Sequence, residues 1–248
     1  MIDPEKITDF ERDEAGLQEF LLFALFAVHT NADVAANALA TLLKRAGSKK
    51  AEPFKALKQL RQLLDTKNEE SRPGVKADLQ AILSECGLRY HGMRAEAILK
   101  LTDKMVLDQH GFSAPMLWQL KRSDLIQWYG IGMKTASFFL IHSQYDAEVA
   151  CLDVHIMRYL RQRHEDAPTD PWKSKAVYEK WERVFLDHAT ELDYHPAELD
   201  ILIWSRYRKN PDFSVKDIPW RKNNPKLPRF PTQPRARKQA QLLNLDQL

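Results

Sequence analysis

Apolar residues recur along most of the chain at the three- and four-residue spacing of helices. Leu17, Phe20, Leu21, Ala24, Leu25 and Val28 form one broad apolar face and predict a helix over Glu14–Val28. His29-Thr30-Asn31 interrupts it, and Ala32–Lys44 follows as a second helix rich in Ala and Leu. Leu57, Leu60, Leu63 and Leu64 predict a third over Pro53–Leu64. Pro73 opens a fourth, because proline is tolerated in a first turn, and Gly87 is the stop just after Cys86. Arg94–Asp103 and Ala114–Leu120 are two more, and Ser123-Asp124 reads as an N-cap pair for a helix ending at about Trp128. A helix from about Met133 through Thr135–His142, another opened by Asp153, and a last one containing Trp204 follow. Between the helix at Asp153 and the last helix no element is assigned. No segment alternates over strand length, and no Asn-Gly or Asp-Gly hairpin signal occurs, so the expected fold class is all-α.

After Tyr207 the pattern stops. Prolines recur at 211, 219, 225, 228, 231 and 234, which prohibits a continuous helix. From Lys209 onward nine Lys or Arg stand against three Asp, twice the net charge of +3 carried by the whole chain. The body before that tail is therefore slightly acidic. An arm of this kind is drawn to a phosphate backbone, although a solubilising flexible end has the same composition. Residues 234–248 leave room for one more short helix.

The remaining composition narrows the field. Eight glycines in 248 residues, with 44% apolar and 29% charged side chains, fit an ordinary helical globular protein. Two cysteines, Cys86 and Cys151, far apart and in no Cys-x-x-Cys pair, exclude a thiolate zinc or iron–sulfur site and fit a reduced intracellular setting of cytoplasm or nucleoid. The longest apolar run, Phe20–Val28, is too short to span a bilayer, and the first residues lack the basic-then-apolar start of a signal peptide. No membrane partner is expected.

The informative stretch is Leu125-Ile-Gln-Trp-Tyr-Gly-Ile-Gly-Met-Lys-Thr-Ala-Ser-Phe-Phe-Leu140. Gly130 and Gly132, astride Ile131, let the backbone turn between two helices while Ile131 pins the turn to the core. Backbone amides at the start of the second helix, from Gly132 through Thr135, then form a site for a DNA phosphate. Many helix-to-helix turns share Gly-x-Gly, so the turn alone is weak. Lys134 lies in the first turn of that helix, where the positive end of the helix dipole and partial burial disfavour its ammonium form and make it a candidate nucleophile. A lone helical lysine is more often a solvated surface group. What shifts the balance is Asp153, 19 residues on in Val149-Ala-Cys-Leu-Asp-Val-His-Ile-Met-Arg-Tyr-Leu160, a carboxylate able to face the amine or simply to cap its own helix.

Gly-Ile-Gly-Met-Lys-Thr-Ala followed by Leu-Asp-Val-His-Ile-Met-Arg resembles the helix-hairpin-helix (HhH-GPD) DNA glycosylases, the group of endonuclease III and the 8-oxoguanine DNA glycosylases, and is most similar to the lysine-bearing 8-oxoguanine enzymes. The match is strong over 125–160, weaker at Gly87-Leu-Arg-Tyr-His-Gly-Met-Arg-Ala-Glu-Ala-Ile98 and faint at 20–39. Two features depart from the family. Tyr129 stands where proline is common before the first hairpin glycine, and the C-terminal cysteine cluster of many endonuclease III relatives is absent.

The resemblance implies two helical subdomains with a cleft between them. One is formed by 1–30 with 146–210, the other by 31–145 ending in the hairpin at about 122–142, and 211–248 is left as the arm. It implies a bifunctional glycosylase and AP lyase acting as a monomer on damaged duplex DNA. Lys134 would attack the sugar C1′ and Asp153 would support it, with 8-oxoguanine the first candidate lesion. An oxidised pyrimidine, an alkylated or modified base, and a hairpin that only grips DNA are the alternatives. No catalytic cofactor or metal is implied; a monovalent cation on the hairpin carbonyls is. Asn31 is the candidate wedge for the duplex gap, or else part of a plain polar turn. His155 and Arg94 are candidates for phosphate contact. Phe138, one helical turn after Lys134, and Trp204 are candidates to sandwich a flipped base, although aromatics at helical spacing are more often core.

Overall fold

A computed structural model describes residues 2–47, 53–66, 74–106, 116–214 and 218. Among these residues the chain forms ten α-helices and two short 3-10 turns, with no strand. The helices are α1 (Glu14–Phe26), α2 (Ala32–Arg45), α3 (Pro53–Thr66), α4 (Val75–Glu85), α5 (His91–Met105), α6 (Arg122–Leu125), α7 (Met133–Ser143), α8 (Val154–Arg163), α9 (Lys175–Glu191) and α10 (Pro196–Lys209). The all-α class expected from the sequence is the class observed.

Local chemistry sets most of these boundaries. Asp13 caps α1 by accepting from the Gly16 amide at 2.7 Å. Gly87, at φ +76°, ends α4 as the sequence suggested. Its amide bonds to the Ser84 carbonyl and the Leu88 amide to Leu83, the paired bonds of a Schellman motif. Three expectations need correction. Ser123 and Asp124 lie inside α6 rather than before it: the helix starts at Arg122, and the Asp124 carboxylate reaches back to the Lys121 amide at 2.8 Å. That helix stops at Leu125 rather than Trp128, because the tighter bonds Gln127 N to Asp124 O and Trp128 N to Leu125 O take over. In place of the helix expected over 114–120, the described residues 116–120 hold only a 3-10 turn at Leu117–Gln119. Most of the basic arm, with the short helix considered at 234–248, lies outside the described residues.

The Cα framework divides into two compact units, 1–7 with 12–139 and 8–11 with 140–248. In the first, the last two turns of α1, from Phe20 to Phe26, are apolar all round, and Phe20, Leu21, Leu22 and Phe26 are fully buried. It packs against α2, α3, α5 and the Leu117 turn. In the second, α10 packs on α8 and α9 over Tyr159, Phe185, Leu199 and Ile203, all at or near zero exposure. A smaller apolar group joins Phe10 to Ile141 and Ala197, with Tyr145 and Val149 against it. Thr8 and Asp9 bind His142 there: the Thr8 hydroxyl is 2.8 Å from Nδ1 and the Asp9 amide donates to the His142 carbonyl. The other ring nitrogen, Nε2, lies 3.2 Å from Asp200 Oδ2, with both side chains buried. Burial raises the Asp200 carboxyl above the usual carboxylate range, and the His142 bond opposes that rise.

Candidate functional site

In the first unit the hairpin is built as its glycines demand. Gly130 has φ +83°, and a Cβ placed there would lie 2.8 Å from the Ala97 Cβ on α5. Both the backbone sign and the close approach of α5 therefore require glycine. Ile131 is buried and its amide donates to the Trp128 carbonyl at 3.1 Å, closing the turn. Gly132 is exposed with open space where a side chain would stand, and its carbonyl accepts from Ala136 to start α7. Arg122 ties α6 to α7 through the Ser137 hydroxyl at 3.2 Å.

Lys134 is the second residue of α7 and is half-buried. Thr135, offered as a DNA contact, is buried instead. Phe138 is half-buried one turn beyond Lys134, with ring centroids 5.6 Å from Phe20 and 6.2 Å from Phe23. It thus forms the half-exposed edge of an aromatic cluster whose other members are core. At Tyr129, where the hairpin departs from the family pattern, the ring is exposed and the Lys100 ammonium sits 4.1 Å above its centroid.

The turn between α1 and α2 is part of the same unit. Asn31 is exposed and N-caps α2, its side-chain oxygen accepting from the Asp33 amide at 2.9 Å. Two residues earlier His29 adopts φ +51°, and Tyr90, just before α5, adopts φ +54°. Left-handed conformations are unusual for such side chains and tend to gather at functional positions. The two rings face one another with centroids 5.8 Å apart. Arg94 is not a surface cation. Only 1% exposed, it donates to the Phe26 carbonyl at 3.0 Å, to the Val28 and Arg89 carbonyls, and to the Thr30 hydroxyl at 2.9 Å. Burial lowers its pKa from the usual arginine value. The expected phosphate role gives way to a structural one, holding the 27–31 turn from beneath.

In the second unit Asp153 is half-buried and N-caps α8, with Oδ1 accepting from the His155 and Ile156 amides at 2.8 Å each. No further bond falls on its Oδ2 among the described residues. His155 stacks on Tyr207 with centroids 5.9 Å apart, and its Nδ1 is buried without a partner among the described residues. Trp204 is half-buried on α10, with the Arg208 guanidinium 5.1 Å from its ring. No sequence signal points to the support of Asp153. Its flanking backbone is held by Trp172, Tyr178 and Glu182, in a region where the apolar pattern predicts no element. Nor does one point to the buried His142–Asp200 pair, whose members are 58 positions apart. Among the described residues no group of three or more His, Cys, Asp or Glu side chains is placed to hold a metal ion, and no helix is long and apolar enough to cross a membrane.

The chain is 28% identical over 179 residues to the 8-oxoguanine DNA glycosylase/AP lyase of Saccharolobus solfataricus, covering 71% of this chain and 83% of that protein. It is 30% identical over 128 residues to the protein of the same name from Metallosphaera sedula, covering 51% of this chain and 62% of the relative. In fold it matches the Methanocaldococcus jannaschii 8-oxoguanine glycosylase/lyase solved with a 15mer DNA containing 8-oxoguanine, with a TM-score of 0.54, 21% identity, and 84% and 89% of the two chains covered. The 8-oxoguanine DNA glycosylase of Thermotoga maritima gives a TM-score of 0.54 at 22% identity, with 83% and 88% covered. The family described as Ogg-HhH, 8-oxoguanine DNA glycosylase, matches residues 43–194, a stretch that includes both the Gly130–Gly132 turn and Asp153. The chain belongs to the 8-oxoguanine DNA glycosylase family.

Proposed function

We propose that this chain excises a damaged base from duplex DNA, 8-oxoguanine first among candidates, and then cleaves the strand through an imine on Lys134. The observation that carries the proposal is the position of Lys134 in the first turn of α7, directly after a turn that only glycine can make. The names of the relatives, 8-oxoguanine DNA glycosylase/AP lyase, support the same chemistry.

A base stacked in a duplex exposes its glycosidic bond to no side chain, so the nucleotide must first leave the stack. The open space at Gly132 suits a phosphate approaching backbone amides at the start of α7. Carbonyl oxygens of the same turn are donors that a monovalent cation accepts, which would stiffen the turn without entering the chemistry. Asn31, exposed at the head of α2 beside the strained His29–Tyr90 contact, is the side chain proposed to fill the gap. Phe138 and Trp204 are proposed to bound the extruded base.

With C1′ exposed, the unprotonated Lys134 nitrogen forms the new bond as the glycosidic bond breaks, and the base leaves with its electron pair. Loss of a proton from that nitrogen and opening of the sugar ring give the imine. Removal of a C2′ proton then expels the 3′ phosphate by β-elimination. Asp153 is proposed to stabilise positive charge on the sugar and to accept the proton of the attacking amine. Its Oδ1 is engaged in capping α8, so Oδ2 is the oxygen assigned that task.

Borohydride trapping tests the proposal. The chain is expected to be captured covalently on a duplex containing 8-oxoguanine, and Lys134→Gln to bind that duplex without being captured. A Lys134→Gln variant that still excises base at near-normal rate would remove the assignment. A panel of oxidised, alkylated and undamaged duplexes settles the lesion, and binding without excision across the panel would reduce the chain to a DNA-gripping hairpin.

A further inference from the structure

The three residues ahead of Asp153 form no helix and no strand, yet Ala150, Cys151 and Leu152 are all buried. Their backbone groups need partners from elsewhere, since an unpaired buried amide or carbonyl costs as much as a lost hydrogen bond. Three side chains of the same unit supply them. Glu182 Oε1 accepts from the Ala150 amide at 2.8 Å. The Tyr178 hydroxyl bridges the segment, donating to the Ala150 carbonyl at 2.8 Å and accepting from the Leu152 amide at 3.2 Å. Trp172 Nε1 donates to the Leu152 carbonyl at 2.6 Å. Two of the three lie one turn apart on α9, Tyr178 and Glu182, both buried, and the third is on a second 3-10 turn, Pro171–Lys173, that packs against α9. The Asp153 amide in turn bonds to the Cys151 carbonyl at 2.7 Å.

We infer that Tyr178, Glu182 and Trp172 are positioning residues for Asp153. They fix the height and direction from which its carboxylate leaves the backbone, while the α8 cap fixes the carboxylate's rotation. The inference rests on the proposed role of Asp153. A carboxylate that must meet a developing charge gains from being held before the reaction begins, and sub-ångström displacement of such a group is costly. Satisfying a buried backbone would be accomplished by any side chains that reach it. What marks these three is that each of them bonds the backbone of the residues leading into one functional carboxylate.

A double-mutant cycle separates positioning from simple support. Tyr178→Phe keeps the ring and removes the hydroxyl, and single-turnover excision of 8-oxoguanine is expected to fall about tenfold with duplex affinity unchanged within about twofold. In the Asp153→Asn background, followed over days, the same change is expected to cost less than about twofold, because there is no longer a functional carboxylate to place. Equal losses in both backgrounds would show a structural role only. Glu182→Gln, which keeps an acceptor for the Ala150 amide, is expected to recover most of what Glu182→Ala loses. Should Tyr178→Phe fail to fold, that pair and Trp172→Phe carry the same cycle. Asp153→Asn at wild-type rate would remove the proposed role of Asp153 itself. Asp153→Asn slow with Tyr178→Phe at wild-type rate would remove the positioning inference alone.

Discussion

The Arg94 guanidinium donates to the Phe26 carbonyl at 3.0 Å across 68 positions of sequence, so α5 supplies the cation that the end of α1 lacks. The last carbonyls of a helix have no partners within it and carry the negative end of its dipole. Arg94 answers both needs from a nearly solvent-free position. Arg94→Met is expected to destabilise the chain by about 3 kcal/mol, because several buried carbonyls lose their donor together. Urea unfolding measures this. Destabilisation below about 1 kcal/mol would mean that the carbonyls find other partners.

The two hairpin glycines are expected to behave differently. Gly130→Ala must adopt a left-handed backbone and press its methyl on Ala97, a combined cost of about 3 kcal/mol. Gly132→Ala meets nothing within 4 Å and should change stability by less than about 1 kcal/mol. If a phosphate approaches there, Gly132→Ala nonetheless weakens duplex binding, read as a rise in Kd with an unchanged melting curve.

Asp153 is expected to carry two separable roles. Asp153→Ala removes the α8 cap and should cost about 1 kcal/mol of stability as well as excision. Asp153→Asn keeps a capping oxygen, so its stability should stay within about 0.5 kcal/mol of the parent while excision falls by about 100-fold or more. Parallel loss of stability and rate in both variants would mean the residue only caps.

Acid sensitivity is expected from His188. Its Nε2 lies 3.0 Å from that of His164, a contact in which one ring nitrogen donates and the other must be free of a proton to accept. Burial, then the charge of Arg163 and the His164 neighbour, lower His188 from 6.5 to about 4, with Glu191 and Asp187 opposing. Between those values the unfolded chain binds a proton that the folded chain refuses. The contribution is therefore full above pH 6.5 and lost as pH falls toward 4, on the order of 2 kcal/mol. Urea midpoints should drop between pH 7.5 and pH 5, and His188→Gln should flatten that slope. An unchanged slope in the variant would assign the acid loss to other groups.

The parts legible in the sequence were those written in local signals. Glycine at Gly130, an apolar residue at Ile131 and the cap Asp153 each act within a few residues, and each stands where its chemistry suggested. Helix α9 escaped because two of its buried positions, Glu182 and His188, are polar and break the apolar stripe that Tyr178, Trp181 and Phe185 otherwise draw. Arg94 misled for the same reason. A cation in a sequence reads as surface, and only the fold shows carbonyls of a distant helix waiting for it. The arrangement around Asp153 was invisible because its bonds join residues 20 to 32 positions apart through groups with no shared spacing.

The path of the chain has a consequence for inheritance. Residues 8–11 belong to the second unit while their neighbours on both sides belong to the first, and Phe10 packs with Ile141 and Ala197 in the second unit's core. Neither unit is therefore a continuous stretch that recombination could lift out as a cassette. A duplication or fusion breakpoint near Phe139 would leave one fragment without its aromatic plug and the other with an unburied phenyl ring, so the two units are bound to descend together.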